Sequence, residues 1–173
     1  MVIHISTTLT LGKSLAIKRE KDGDDEVTCA HLKFTDLFLS REQVDAVCGQ
    51  RPGWCETSFF DELGAPVGNW SLALHKTAFA LAGAIDEPGG EGMRFTEAAV
   101  DGIELTFTHL GAVASGHIVW KVAGDEAGDI ETLLGQQCRA DWHLTDGGQQ
   151  DMLRDRDMAR VNWARDRGRD ACA

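Results

Sequence analysis

The stretch HLKFTDLFLSREQVDAVCGQ, residues 31–50, lies over HIVWKVAGDEAGDIETLLGQ, residues 117–136, at a constant offset of 86 with no gap. His31 meets His117, Gly49 meets Gly135 and Gln50 meets Gln136, while Leu32/Ile118, Phe34/Trp120, Val44/Ile130, Asp45/Glu131 and Val47/Leu133 are conservative exchanges. A three-residue gap then sets Cys55 on Cys138, Phe59 on Trp142 and Gly64 on Gly147. Upstream, Gly12, Leu15 and Ile17 align with Gly102, Leu105 and Phe107 after a loop-length change of four. Such a chain reads as a folding unit duplicated and fused. Two copies that cannot each bury a full core form one body rather than two beads. The repeat constrains architecture and is silent on chemistry.

Within each copy the patterning is strand, strand, helix, strand. VIHISTTLTLG alternates apolar and hydroxyl residues at period two, and KSLAIKRE continues the alternation through Leu15 and Ile17. KDGDDE, residues 21–26, is a hydrophilic hairpin tip with Gly23 free to adopt positive φ. VTCAHLKFTDLFL returns as a strand with Val27, Cys29 and His31 on one face and Leu32 and Phe34 on the other, which calls for a bulge near His31. Ser40 and Gln43 form a capping box for a helix over Arg41–Cys48 that turns Val44, Val47 and Cys48 inward and stops at Gly49. In the second copy Asp125 caps, Ile130, Leu133 and Leu134 face inward and Gly135 stops. WCETSFF and QCRADWHL read as the strands that follow. DELGAPVGN is a turn, WSLALHKTAFALAGAI one bent strand or a pair, and EPGGEG a glycine-rich connection. The expected fold is α+β: a twisted antiparallel sheet or two-sheet sandwich, pseudo-twofold, built from a duplicated β-β-α-β unit. One globular body spans 1–147, with repeats at about 9–64 and 99–147 joined by 65–98, and a charged helical or unstructured tail spans 148–173.

The net charge is −11. Residues 148–173 carry six Arg against five Asp, so the other 147 residues hold −12. An acidic body repels a phosphate backbone and suits a basic protein surface. Five cysteines (Cys29, Cys48, Cys55, Cys138, Cys172) form an odd set without CxxC spacing, which fits reduced core residues in a cytoplasm. MVIHISTTLTLG has no basic segment followed by a long apolar one, and LALHKTAFALAGAI is interrupted by His75 and Lys76, so neither a signal peptide nor a membrane span is expected.

Zinc would need three or four of Cys29, His31, Cys55, His117, Cys138, Asp141 and His143 to converge at about 2.0–2.3 Å. Cys29 aligns with Ser115, which breaks any symmetric site, so no metal or other cofactor is expected. GxSxG, P-loop and HExxH motifs are absent from the sequence, Gly89-Gly90 and Gly147-Gly148 lack a strand–glycine–helix setting, and Asp22, Asp24 and Glu26 lack the rest of a calcium loop. The reading is noncatalytic. Trp54, Phe59, Phe60, Trp70, Trp120 and Trp142 fall on expected strands, where an exposed face would stack single-stranded bases. The pairing of Phe34 with Trp120 and of Phe59 with Trp142 between copies instead marks a shared core.

The series LTLG…LAIKRE…HLKFTDLFLSREQVDAVCG, then VDGIELTFTHL…HIVWKVAG…IETLLGQ, resembles small β-rich accessory proteins encoded by bacteriophages and prophages, over most of residues 5–144. The Arg/Asp tail departs from that pattern. The resemblance implies a noncatalytic phage accessory protein in the host cytoplasm. The expected partner is a host or phage protein with a basic, nucleic-acid-handling surface, modulated or inhibited on contact, bacterial defence proteins included. A homodimer is also open. The residues expected to meet a partner are Asp22, Asp24, Asp25 and Glu26 at the hairpin tip, and Arg154, Arg156, Arg160, Trp163 and Arg165 in the tail. The alternative is a single-stranded DNA-binding or recombination accessory protein that uses the strand aromatics and the arginine tail.

Overall fold

The computed structural model describes residues 1–68, 71–74, 78–90, 92–122 and 130–145, with the Asp22 side chain also left aside. Alternation at period two in the first residues gives strand β1, Val2–Asp22, with Ile3, Ile5, Leu9 and Leu11 buried on one face. Gly23, at φ 65°, turns the chain into β2, Asp25–Ser40. Helices α1 (Arg41–Val47) and α2 (Trp54–Phe59) follow, then β3 (Ser71–Leu74), β4 (Phe79–Asp86), β5 (Met93–Thr108), β6 (Gly111–Lys121) and β7 (Gln137–Thr145). The fold is mostly β: seven antiparallel strands in one sheet and two short helices among the described residues.

The sheet closes on itself. β1 pairs with β2, β2 with β6, β6 with β5, β5 with β4, β4 with β7 and β7 with β1, so these six strands form a ring. β3 lies on the same edge of β5 as β4, meeting Ile103–Thr106 where β4 meets Met93–Val100. The interior is filled by setting large rings over small neighbours. Trp120 lies in register between Ala30 and Ala98, and Trp142 between Ile5 and Gly83. Phe34 lies opposite Gly116, where a Cβ would stand 2.9 Å from the Phe34 ring. Phe34 meets Trp142 edge-on at 5.3 Å between centroids, and Phe95 meets Trp120 at the same separation.

Each end of the ring carries an apolar plug. Ser40 Oγ accepts from the Gln43 N–H and the Gln43 side chain accepts from the Ser40 N–H, the reciprocal cap that starts α1 and buries Val44 and Val47. At the opposite end, after β6, Ile130 and Leu133 are buried and the chain reverses at Gly135, φ 75°. The carboxylate of Asp45 is buried and accepts from the Gly53 N–H at 2.8 Å and the Cys55 N–H at 2.6 Å, satisfying the first turn of α2 from outside that helix. Asp45→Ala would strand both donors. Its unfolding free energy should drop by about 2–3 kcal/mol at an unchanged urea slope. A loss below about 1 kcal/mol would mean that water replaces the carboxylate.

Three expectations require correction. WCETSFF is helix α2 and not a strand, because Asp45 supplies its N-terminal acceptor; Cys55 on that helix and Cys138 inside β7 are therefore not equivalent, nor are Phe59 and Trp142. The bulge in β2 falls between Phe34 and Leu37, with Asp36 at φ 60°, and not near His31. Leu32 and Phe34, then Leu37 and Leu39, all point inward, so one extra residue has to be absorbed between the two pairs. Val27, Cys29 and His31 need no bend, since Cys29, Ala99 and Val119 form a second small apolar cluster on the outer face, flanked by Val27 and Ala78. Lastly, the strands form one closed sheet rather than a two-sheet sandwich, and helix is too scarce for an α+β description. Asp125 and Trp70 lie outside the described residues.

Candidate interaction site

β7 accompanies β1 only as far as Thr10, and β6 accompanies β2 only from Cys29 onward. Among the described residues, Arg19–Asp22 and Asp25–Thr28 pair as strands only with each other and extend past the ends of β6 and β7 as a two-stranded arm. Four residue pairs at about 3.3 Å each give an arm roughly 13 Å long. Arg19 and Lys21 against Glu20, Asp22, Asp24, Asp25 and Glu26 leave a formal charge of −3 on it. Asp24, Asp25 and Glu26 are exposed at its end, where the sequence reading placed them.

The root of the arm is tied down by side-chain contacts. Glu20 Oε1 lies 3.0 Å from His31 Nε2, and both side chains are nearly enclosed, 7% and 11% exposed. Beneath them Cys29, Ala99 and Val119 pack as the outer apolar cluster, and the Val122 N–H donates to the Thr28 carbonyl at 2.9 Å. A hairpin tied at its base has less freedom to lose when its tip carboxylates meet a charged surface.

The remaining sequence candidates separate. His31 turns toward β1 and Glu20, whereas His117, diagonal to it across the Leu32–Ile118 pair, leans toward Gly102 on β5. Cys29, Cys55 and Cys138 are buried free thiols. Desolvation, reinforced by the Asp45 charge, pushes the Cys55 thiol up to about 11, and burial likewise raises Cys138. Such thiols are poor nucleophiles at neutral pH. Trp120 and Trp142 face the interior, their indole N–H groups without a hydrogen-bond partner among the described residues. Trp54 and Phe59 are half-buried around α2, and Phe59 stacks on Phe107 at 4.2 Å. Arg154, Arg156, Arg160, Trp163 and Arg165 lie outside the described residues.

A second polar cluster stands on the outer face of β1 and β7, joining Asp141 and His143, two of the zinc candidates, to His4, which was not among them. His4 and His143 are cross-strand partners 139 positions apart, with stacked rings 4.7 Å between centroids. Asp141 Oδ1 lies 2.7 Å from His4 Nε2. That hydrogen bond, helped by the nearby His4, His143 and Arg139, holds the Asp141 carboxyl below its usual range. Alternation alone could have placed each residue on the outer face. Only the β1–β7 register brings them together.

At the far end of the ring, Arg41 Nη2 donates to the carbonyls of Gly64 (3.0 Å) and His109 (2.9 Å), and its guanidinium covers the Phe60 ring at 3.7 Å. This clamp ties together two loops that hold Leu63 and Leu110 out in solvent. No helix among the described residues is long and apolar enough to cross a membrane. No protein-family model, curated protein or solved structure matches this chain.

Proposed function

We propose that this chain is a noncatalytic accessory protein of bacteriophage type, an acidic binding module whose β1–β2 arm engages a basic surface that otherwise holds nucleic acid. The observation that carries the reading is the arm itself: a projecting hairpin, braced at its root by Glu20–His31, with Asp24, Asp25 and Glu26 exposed at its end. An excess of negative charge on a projection tied at its root steers encounter with a cationic partner and competes with phosphate for the same groups. Occupation of that surface would inhibit a host or phage nucleic-acid-handling protein, a bacterial defence protein being one such target. The single-strand-binding alternative has less support, because Phe34, Trp120 and Trp142 are interior and would stack no bases.

Pull-down from nuclease-treated bacterial lysate with the full chain and with Asp24→Lys/Asp25→Lys/Glu26→Lys tests the reading. Nucleic-acid-binding proteins should be captured by the first, released by added duplex DNA, and lost or retained at least ~10-fold less by the second. Equal capture by both chains would remove the arm from the argument. Salt-sensitive retardation of a labelled single strand by the chain would favour the alternative.

We also infer that the fold descends from a duplicated β-β-α-β unit with pseudo-twofold symmetry, the last strand of the first copy being β4, which flanks β5 as β7 flanks β1, and not WCETSFF. Support comes from the β2–β6 ladder: Leu32 pairs with Ile118, its own counterpart at the offset of 86. The same exchange converts His31–Val119 into Lys33–His117 and Ala30–Trp120 into Phe34–Gly116, all of them pairs in that ladder. The β1–β2 and β5–β6 turns fall at equivalent positions, 23–24 and 109–110. Val44 and Val47 plug one end as Ile130 and Leu133 plug the other, followed by Gly49 at φ 64° and Gly135 at φ 75°.

A further inference from the structure

Most of the polar and apolar groupings outside the hairpin are accounted for within the chain. Glu20–His31 braces the arm, Asp45 caps α2, and Arg41 is spent on two carbonyls, the Phe60 ring and Glu56 at 3.6 Å. The exposed leucines beside the clamp have nothing on them that selects one partner. The His4–Asp141–His143 group is different. It braces no loop, and its three side chains project from the most regular part of the sheet, nine consecutive β1–β7 pairs over buried Ile3, Ile5, Trp142 and Leu144.

We propose that His4, Asp141 and His143 form a surface site for a borderline divalent cation of the Zn²⁺, Ni²⁺ or Cu²⁺ class. Two imidazoles and one carboxylate are a donor set that such ions prefer over water and that Mg²⁺ or Ca²⁺ does not. His4 Nε2 and Asp141 Oδ1 already converge at 2.7 Å, so an ion replacing the shared proton binds both with little movement. The third donor is offset, and the three do not surround a common point in the free chain. The rings of His4 and His143 are 4.7 Å apart and inclined by 21°. The site therefore requires the His143 side chain to rotate on binding, and its register neighbour on β4 is only the small Ala82. Ala84 and Ser6, the neighbours of Asp141 in β4 and β1, leave the approach open. The backbone beneath does not yield, since the Gln43 side chain also donates to the His4 carbonyl at 2.8 Å. Arg139, two residues from Asp141 on the same face, opposes a cation and limits affinity. Imidazole nitrogens ligate an ion only in the unprotonated form, so binding is weaker at low pH.

Calorimetric titration of the untagged full chain with ZnCl₂ and with NiCl₂ at neutral pH provides the test, with His imidazole NMR signals followed alongside. One ion per chain is expected, with the His4 and His143 signals moving first. His4→Ala, His143→Ala and Asp141→Asn should each weaken binding by at least the ~10–100-fold that loss of a mere supporting partner costs a metal site. His117→Ala, on another part of the outer face, should leave binding unchanged. All four positions are on the outer surface, so thermal midpoints matching the parent chain verify folding. Undiminished binding in His4→Ala and His143→Ala, or the absence of any binding up to millimolar ion, overturns the assignment.

Discussion

Trp142→Ala should lower the unfolding free energy by about 3–5 kcal/mol, the range for deleting a fully enclosed large aromatic. Trp142 heads the largest fully buried side chains, lies in register with Gly83 on one neighbouring strand and meets Phe34 edge-on across the interior. Alanine there leaves a hole bounded by Ile5, Phe34 and a closed backbone that cannot collapse inward. Urea denaturation of the variant, with Trp54→Ala at a half-buried position as reference, measures the effect. The Trp54 change should cost clearly less. Were Trp142 a base-stacking platform instead, its loss would impair single-strand binding and spare stability. A Trp142→Ala chain as stable as its parent would refute the interior assignment.

Gly83→Ala should be about as damaging, at about 3–5 kcal/mol or outright failure to fold, for a different reason. Gly83 sits at φ 151°, where the β4–β5 register shifts between Leu81 and Gly83. A Cβ at that position would stand 2.1 Å from the Asp141 carbonyl oxygen and 2.9 Å from the Trp142 Cα. Both obstacles are backbone of β7, so relief requires breaking the β4–β7 ladder. Gly23→Ala is the control: its φ of 65° is also left-handed, but nothing lies within 4 Å of the added atom, so only about 1–2 kcal/mol is at stake. Equal melting temperatures for the Gly83 and Gly23 variants would show that the ladder gives way easily.

These positions indicate how far the residues alone can be read. Alternation at period two revealed β1, β2, β6 and β7 and the inward direction of Leu32 and Phe34, because a strand with one buried face has a local signature. The Ser40/Gln43 cap and Gly49 likewise announced α1 in a handful of residues. α2 was missed because its stabilising partner, Asp45, is a carboxylate from the preceding helix, and no helical periodicity inside WCETSF signals it. The closing of the sheet was missed because β5–β6 and β1–β7 pairing is set by register between distant segments. Of the residues expected to meet a partner, Asp24, Asp25 and Glu26 were legible as a polar tip. That the tip is carried out on an arm follows from where β6 and β7 stop pairing, which depends on two distant strands. Asp141 and His143 drew notice as neighbours in sequence, but nothing local joined His4 to them.

The seam between β1 and β7, with Val2 beside Thr145, has a consequence for biogenesis. A ribosome delivers β1 first and Gln137–Thr145 more than a hundred residues later, so the interior stays open until that late segment emerges. Until then β1 and β4 each expose a row of unmatched amides, an invitation to neighbouring nascent chains. A topology sealed by its most distant contacts acquires its native state in milliseconds to seconds rather than microseconds, and passes through its most aggregation-prone stage just before completion.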